Sequence, residues 1–401
     1  MRAVNLLLAF LLVLSWWGVK PAQAQAGVDM ELAASVQFGE GITFIARLKA
    51  PLPIQGASLF IHDTLQGITY SQPVTFDANG VSEFRFDVRQ SALRPFTTLL
   101  WRYDLTLADG SVIQSPAGSV RYDDTRFAWQ TLESGALRIH WYNAGDSVGL
   151  AALNAAQAGL QKIGGFFAPD LSQPIDIYLY ASESDLRGAL PGAEAWAVGH
   201  ADSGAGVITV TMEAGADQNV QLEQRIPHEL MHVLLARQIG AGYRSLPAWL
   251  REGMAALAEV YPNPDYDRVL LDAAARDALI PMRDLCASFS PQLDSAFLAY
   301  AQSRSFVTYL HGQFGADGLL TLARAYAGGV TCERGPERAF GVTFVKLERD
   351  WRVNALGQES LVSTLETFLP YLVLLCVVVL FPLLGILSTL RKKGTAHGRS
   401  T

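Results

Sequence analysis

Residues 227–235 read PHELMHVLL, and the fold turns on whether these two histidines share a helix. Positions four apart lie on one helical face, one turn above the other. His228 and His232 can therefore direct their ring nitrogens at a single ion. Glu229 stands about 100° further round the helix, where it flanks such an ion rather than binding it. A carboxylate in that place can take a proton from a water held at the metal. HExxH alone also fits two helix histidines with no metal, so both readings stand at this point.

A second segment lies twenty residues on. LPAWLREGMAALAEVY spans residues 246–261. Pro247 and Trp249 precede a stretch rich in alanine and leucine, which favours helix. Glu252 sits near its start, and a helix packed on the first would offer that carboxylate as a third ligand. Two histidines, a glutamate and an open position form the donor set of a catalytic zinc site, whereas a structural zinc is usually closed by four protein ligands. Glu259 follows Glu252 by two helical turns and nearly the same face. That placement suits a carboxylate that orients a ligating histidine from behind, the plainer reading being a solvated side chain.

HELMH followed by WLREGMAALAE resembles the paired motifs of the gluzincin metallopeptidases, and specifically the peptidase MA-like group, whose second segment runs WLxEGxAxxxE. The interval from His232 to Glu252 is the usual one for those enzymes. The resemblance covers about residues 127–350. It implies that His228, His232 and Glu252 bind one zinc ion (Zn2+) per chain, that Glu229 is the general base, and that a peptide or protein substrate is hydrolysed.

It also implies a tyrosine or histidine from a later helix that stabilises the oxyanion. SAFLAYAQSRSFVTYLHGQFG, residues 295–315, offers Tyr300, Tyr309 and His311. The YAQS stretch is similar to the family's helix and favours Tyr300, against the plainer reading of a core tyrosine. His200 is expected in a polar loop before an edge strand rather than as a catalyst. The GxMEN strand of the clan's aminopeptidases has no match, because Met212-Glu213 is followed by Ala214. Endopeptidase action is then the default expectation. The alternative is a non-catalytic zinc-binding surface or sensor protein of the same fold, which the presence of base and ligands together disfavours. An intramembrane protease is excluded by Arg225, Arg237 and Arg251 around the motif.

The rest of the 401-residue chain frames this domain. A formal net charge of −7 without a basic run gives no reason to expect a nucleic-acid partner. Residues 1–26 have the layout of a secretory signal peptide, cut after about Ala24 or Ala26, or else of an uncleaved anchor. Residues 27–125 alternate apolar and polar positions between turn residues, as in an all-β immunoglobulin- or fibronectin-like sandwich. Residues 126–355 place strands before helices, the order of an α+β domain, here of gluzincin metallopeptidase type.

Residues 366–390 carry no charge after Glu366 and predict one C-terminal transmembrane helix. The tail 391–401 begins with Arg391, Lys392 and Lys393, which should stay on the cytoplasmic side. The whole then reads as a single-pass protein of the cell membrane with its body outside. Cys286 and Cys332 fall in that body as a candidate disulfide or as two separate buried thiols, and Cys376 falls within the expected span.

Overall fold

A computed structural model of the protein describes residues 28–91, 93–192, 198–290, 292–358, 368–379 and 381–382. The chain divides into two compact units between Arg126 and Phe127.

The first unit contains β1 (Met30–Gln37), β2 (Gly41–Leu48), β3 (Ile54–Asp63), β4 (Ile68–Val74), β5 (Val81–Asp87), β6 (Thr98–Leu107), β7 (Val112–Gln114) and β8 (Gly118–Arg121). Two antiparallel sheets result, β1-β2-β5 and β4-β3-β6-β7, with β8 also on β6. Alternation decides which side of each strand is buried. In β6, Leu99, Trp101, Tyr103 and Leu105 turn inward. They share one core with Ile42, Phe44 and Ala46 of β2 and Leu59 and Ile61 of β3. Asp109-Gly110 turns the β6–β7 hairpin, with Gly110 at φ 83°, a conformation that a Cβ disfavours.

The second unit begins with β9 (Gln130–Ser134), β10 (Leu137–Trp141), α1 (Asp146–Ile163), β11 (Ile175–Tyr180), α2 (Glu183–Ala189), β12 (Gly199–Asp202) and β13 (Val207–Thr211). Every residue of β11 and of β13 is buried, the pattern of strands covered on both faces. They form the middle of a sheet ordered β12-β13-β11-β10-β9. β10, β11 and β13 run parallel, and the two outer strands run antiparallel to their neighbours. His200 therefore lies on edge strand β12 and not in a loop.

Helices follow: α3 (Gln218–Ile239), α4 (Ala248–Ala258), α5 (Asp265–Ala275), α6 (Leu293–Ala327), α7 (Gly335–Phe340) and α8 (Phe344–Leu356). α6 is broken at Gly315, where φ is 68°. α3 presses Leu230, Met231, Val233 and Leu234 into a core shared with Trp249, Leu250 and Met254 of α4 and Phe306 and Val307 of α6.

Two sequence details explain how tightly these helices meet. Pro227 sits inside α3 and has no N–H to give the carbonyl four residues back. That carbonyl, of Glu223, instead accepts the N–H of Val260 at 2.9 Å. In α4, Trp249 is fully buried with its ring 5.1 Å from that of Phe306. A Cβ on Gly253 would lie 2.5 Å from the Ser303 carbonyl oxygen, so α4 and α6 approach at a distance only glycine allows. The tryptophan and glycine of WLREG are packing residues that fix the direction of the glutamate between them.

The expected C-terminal transmembrane helix is corrected here, and with it the single-pass membrane localisation. No helix among the described residues is long and apolar enough to cross a membrane. Among the described residues the helical run there is 368–379, shorter than the roughly twenty residues that a crossing helix needs. An uncharged run shows that a segment is apolar, but crossing also requires an unbroken helix of about twenty residues. Residues 366–367, 380 and 383–390, the tail 391–401 and the expected signal peptide 1–26 lie outside the described residues.

Candidate metal centre

α3 and α4 bring the two motif halves face to face. Glu252 Oε2 lies 3.4 Å from His228 Nε2 and 3.4 Å from His232 Nε2. One donor atom from each of the three residues falls within 4.8 Å of the others. A tetrahedron with zinc–ligand bonds of about 2.0–2.1 Å has an edge of roughly 3.3–3.4 Å. The two separations from Glu252 match that edge, and two imidazole nitrogens with a carboxylate suit zinc, so the trio could hold a metal.

The far side of each imidazole is fixed as well. His228 Nδ1 is 3.1 Å from Glu259 Oε1. Nδ1 donates to that carboxylate, which leaves Nε2 as the nitrogen that would face an ion. His232 Nδ1 is 2.9 Å from the Tyr243 hydroxyl, a contact that orients the second ring.

Glu259 reaches its partner by a different route from the one its spacing suggested. α4 ends at Ala258, and Glu259 leaves it with φ −53° and ψ 126°. Lys162 Nζ bonds the Glu259 carbonyl, and the next N–H, of Val260, goes to the Glu223 carbonyl. The peptide unit that follows Glu259 is thus held at both its carbonyl and its N–H, and Glu259 is 4% exposed, too deep for a solvated carboxylate.

The charges respond to this crowding. Burial works against ionisation of Glu252, but His232 and His228 outweigh it and hold the carboxyl well below the usual carboxylate range. Burial also disfavours a charged His228, yet its bonds to Glu252 and Glu259 lift its pKa well above the ordinary imidazole value. Negative potential concentrated on buried donors is what a cation would neutralise.

Glu229 is buried on the same helix and lies against the edge strand. A Cβ on Gly199 would come within 2.5 Å of its Oε1, so glycine in β12 leaves the carboxylate its space. Tyr300, on α6, has its ring 6.1 Å from that of His228 and 5.1 Å from that of Phe289. Burial, then Glu252 and Glu229, raise its pKa well above the ordinary phenol value. Its hydroxyl keeps its proton and remains a donor.

The other residues of that helix go elsewhere. His311 packs its ring 5.2 Å from Phe166, and Tyr309 lies among the partly buried residues around the core. His200 Nε2 meets Asp202 Oδ1 at 3.2 Å. Cys286 and Cys332 are joined in a disulfide, with Cα atoms 6.0 Å apart. Tyr243 had no signal in the sequence: it lies in a short 3-10 segment, Gly240–Ser245, between the two motifs and inside neither.

Residues 155–357 match the Peptidase MA superfamily, a stretch that includes the centre and every helix from α3 to α8. No curated protein sequence matches the chain. Among solved structures, a polysaccharide deacetylase from Bacillus cereus is 8% identical with a TM-score of 0.21, over 40% of this chain and 54% of its own. A purple acid phosphatase from yellow lupin is 11% identical with a TM-score of 0.20, over 46% of this chain and 34% of its own. Likenesses that slight carry no argument about fold or activity. The match over half the chain does, and by it this protein belongs to the peptidase MA superfamily.

Proposed function

We propose that the protein is a zinc-dependent peptidase of gluzincin type, with His228, His232 and Glu252 as the ligands and Glu229 as the general base. The observation that carries this reading is the meeting of three donor atoms within 4.8 Å of one another, Glu252 standing 3.4 Å from each histidine, with each imidazole held from behind. A zinc ion bound there supplies Lewis acidity that acidifies water towards ~7 and polarises a carbonyl.

The chain's own residues supply the rest. Glu229 takes the proton of the attacking water and returns one to the leaving amine. Its burial beside Gly199 keeps that carboxylate aimed rather than hydrated. Tyr300 donates its hydroxyl to the oxyanion that develops on the scissile carbonyl. Glu259 and Tyr243 keep both rings turned with Nε2 inward. The Cys286–Cys332 bond suits an oxidising compartment, in agreement with a leader in residues 1–26.

Metal content and peptide hydrolysis test the reading together. Purified protein should contain about one zinc per chain, cleave peptides from a broad library, lose activity on chelation and regain it with zinc. Full zinc with no cleavage of any peptide would return the protein to the non-catalytic reading.

Tyr300→Phe should lower kcat by roughly 10²–10³-fold, the loss for one transition-state donor. KM and zinc content should change little, because the hydroxyl is needed once charge develops. Near-normal kcat would leave Tyr300 as a core residue.

A further inference from the structure

Arg251 precedes Glu252 on α4 and points about 100° round the helix from it. Its guanidinium carbon lies 5.9 Å from the centre of the Tyr243 ring, whose hydroxyl meets His232. Its charge also acts on the Tyr300 phenol, opposing Glu252 and Glu229 there. Arg251 therefore flanks the same centre as both tyrosines.

The other two arginines near the motif are engaged. Arg225 bonds the Thr211 carbonyl and hydroxyl and Gln221. Arg237 bonds the carbonyls of Asp170, Gln173 and Pro174. Among the described residues Arg251 has neither a hydrogen bond nor an ion pair, and its Nε is enclosed without a partner. The adjacent Glu252 is committed to the two histidines.

The guanidinium of Arg251 is thus half-buried, with Nε enclosed and no anion beside it among the described residues. Its planar fork matches a carboxylate in two parallel hydrogen bonds. The geometry points to Arg251 as a specificity residue that receives a carboxylate of the peptide substrate, from an Asp or Glu side chain or from a free carboxyl terminus. A neighbouring-residue preference of this kind rests on the peptidase reading, and the test separates the two.

Matched short peptides carry Glu or Gln at each position in turn, each as the C-terminal acid and as the amide. Zinc-loaded wild type should show kcat/KM at least about tenfold higher for one carboxylate than for its amide, the effect of one charge-assisted bond. Whether that pair is a side chain or the terminus identifies the source. The ratio should fall to about one in Arg251→Met and stay above one in Arg251→Lys. In Arg251→Glu the preference should move to Lys over Gln at the same position, a reversal that loss of packing would not produce. Binding of the same labelled peptides to Glu229→Gln, with and without Arg251→Met, is read by fluorescence anisotropy.

Cleavage without a carboxylate preference, or a preference that survives Arg251→Met, overturns the assignment and leaves the peptidase reading intact. No cleavage by wild type, with carboxylate binding that depends on Arg251, overturns the peptidase reading and keeps the carboxylate site. Neither cleavage nor Arg251-dependent binding overturns both.

Discussion

Glu229→Gln is expected to lower peptide hydrolysis by about 10²–10⁴-fold, the range for a positioned general base, while zinc content and the thermal transition stay close to wild type. Glutamine has the shape of glutamate but cannot take a proton from water. The side chain is 8% exposed and faces Gly199, so bulk water has poor access to replace it. The proposed ligands are other residues, and nothing in the change disturbs the 3.4 Å from Glu252 to each histidine. Single-turnover rates with metal analysis on the same sample check it. Wild-type turnover in this variant would remove Glu229 from the mechanism.

The other large effect is on metal affinity. His228→Ala or His232→Ala should weaken zinc binding by more than the 10–100-fold typical of losing an outer hydrogen-bond partner. Two protein ligands cannot hold the ion against water as three do. Each substitution also leaves a carboxylate or phenol, Glu259 or Tyr243, facing empty space. Competition with a chromogenic chelator gives the affinity directly. Stoichiometric zinc at wild-type affinity in both variants would mean that the ion is bound elsewhere.

How much of this centre can be read from residues alone depends on how local each relation is. His228 and His232 are related by one helical turn, and spacing suffices. Glu252 was reached through a motif, and its geometry makes sense only once Trp249 and Gly253 are seen fixing α4 on α6. Glu259 was read as one more residue on a helical face. Its actual place depends on the helix ending one residue earlier and on Lys162 from α1, a contact across 97 positions that no pattern reports.

Tyr243 was missed because a short 3-10 segment has no period to recognise. Arg251 was counted among the charges that keep the motif out of a membrane, and its open donors are visible only in three dimensions. His200 reads from the sequence as a polar loop residue before an edge strand, whereas pairing with Thr209 makes it strand. The transmembrane expectation rests on composition alone, and no helix among the described residues is long and apolar enough to cross a membrane.

Pro227 gives helix α3 a cost that its neighbours convert into rigidity at a distance. A proline in a helix interior is disfavoured by about 3 kcal/mol, and a replacement chosen for helix propensity alone would be alanine. Alanine at that place would offer Glu223 a rung of its own ladder, in competition with the amide of Val260. The segment leaving α4 would then be tethered by one contact fewer, and Glu259 with it. Local helix strength and the aim of the His228 ring are thus set against each other at one residue. Directed evolution that selects for thermal tolerance alone would be drawn to this position and would loosen the centre while doing so. Faster hydrogen exchange at the Val260 amide would be the first sign.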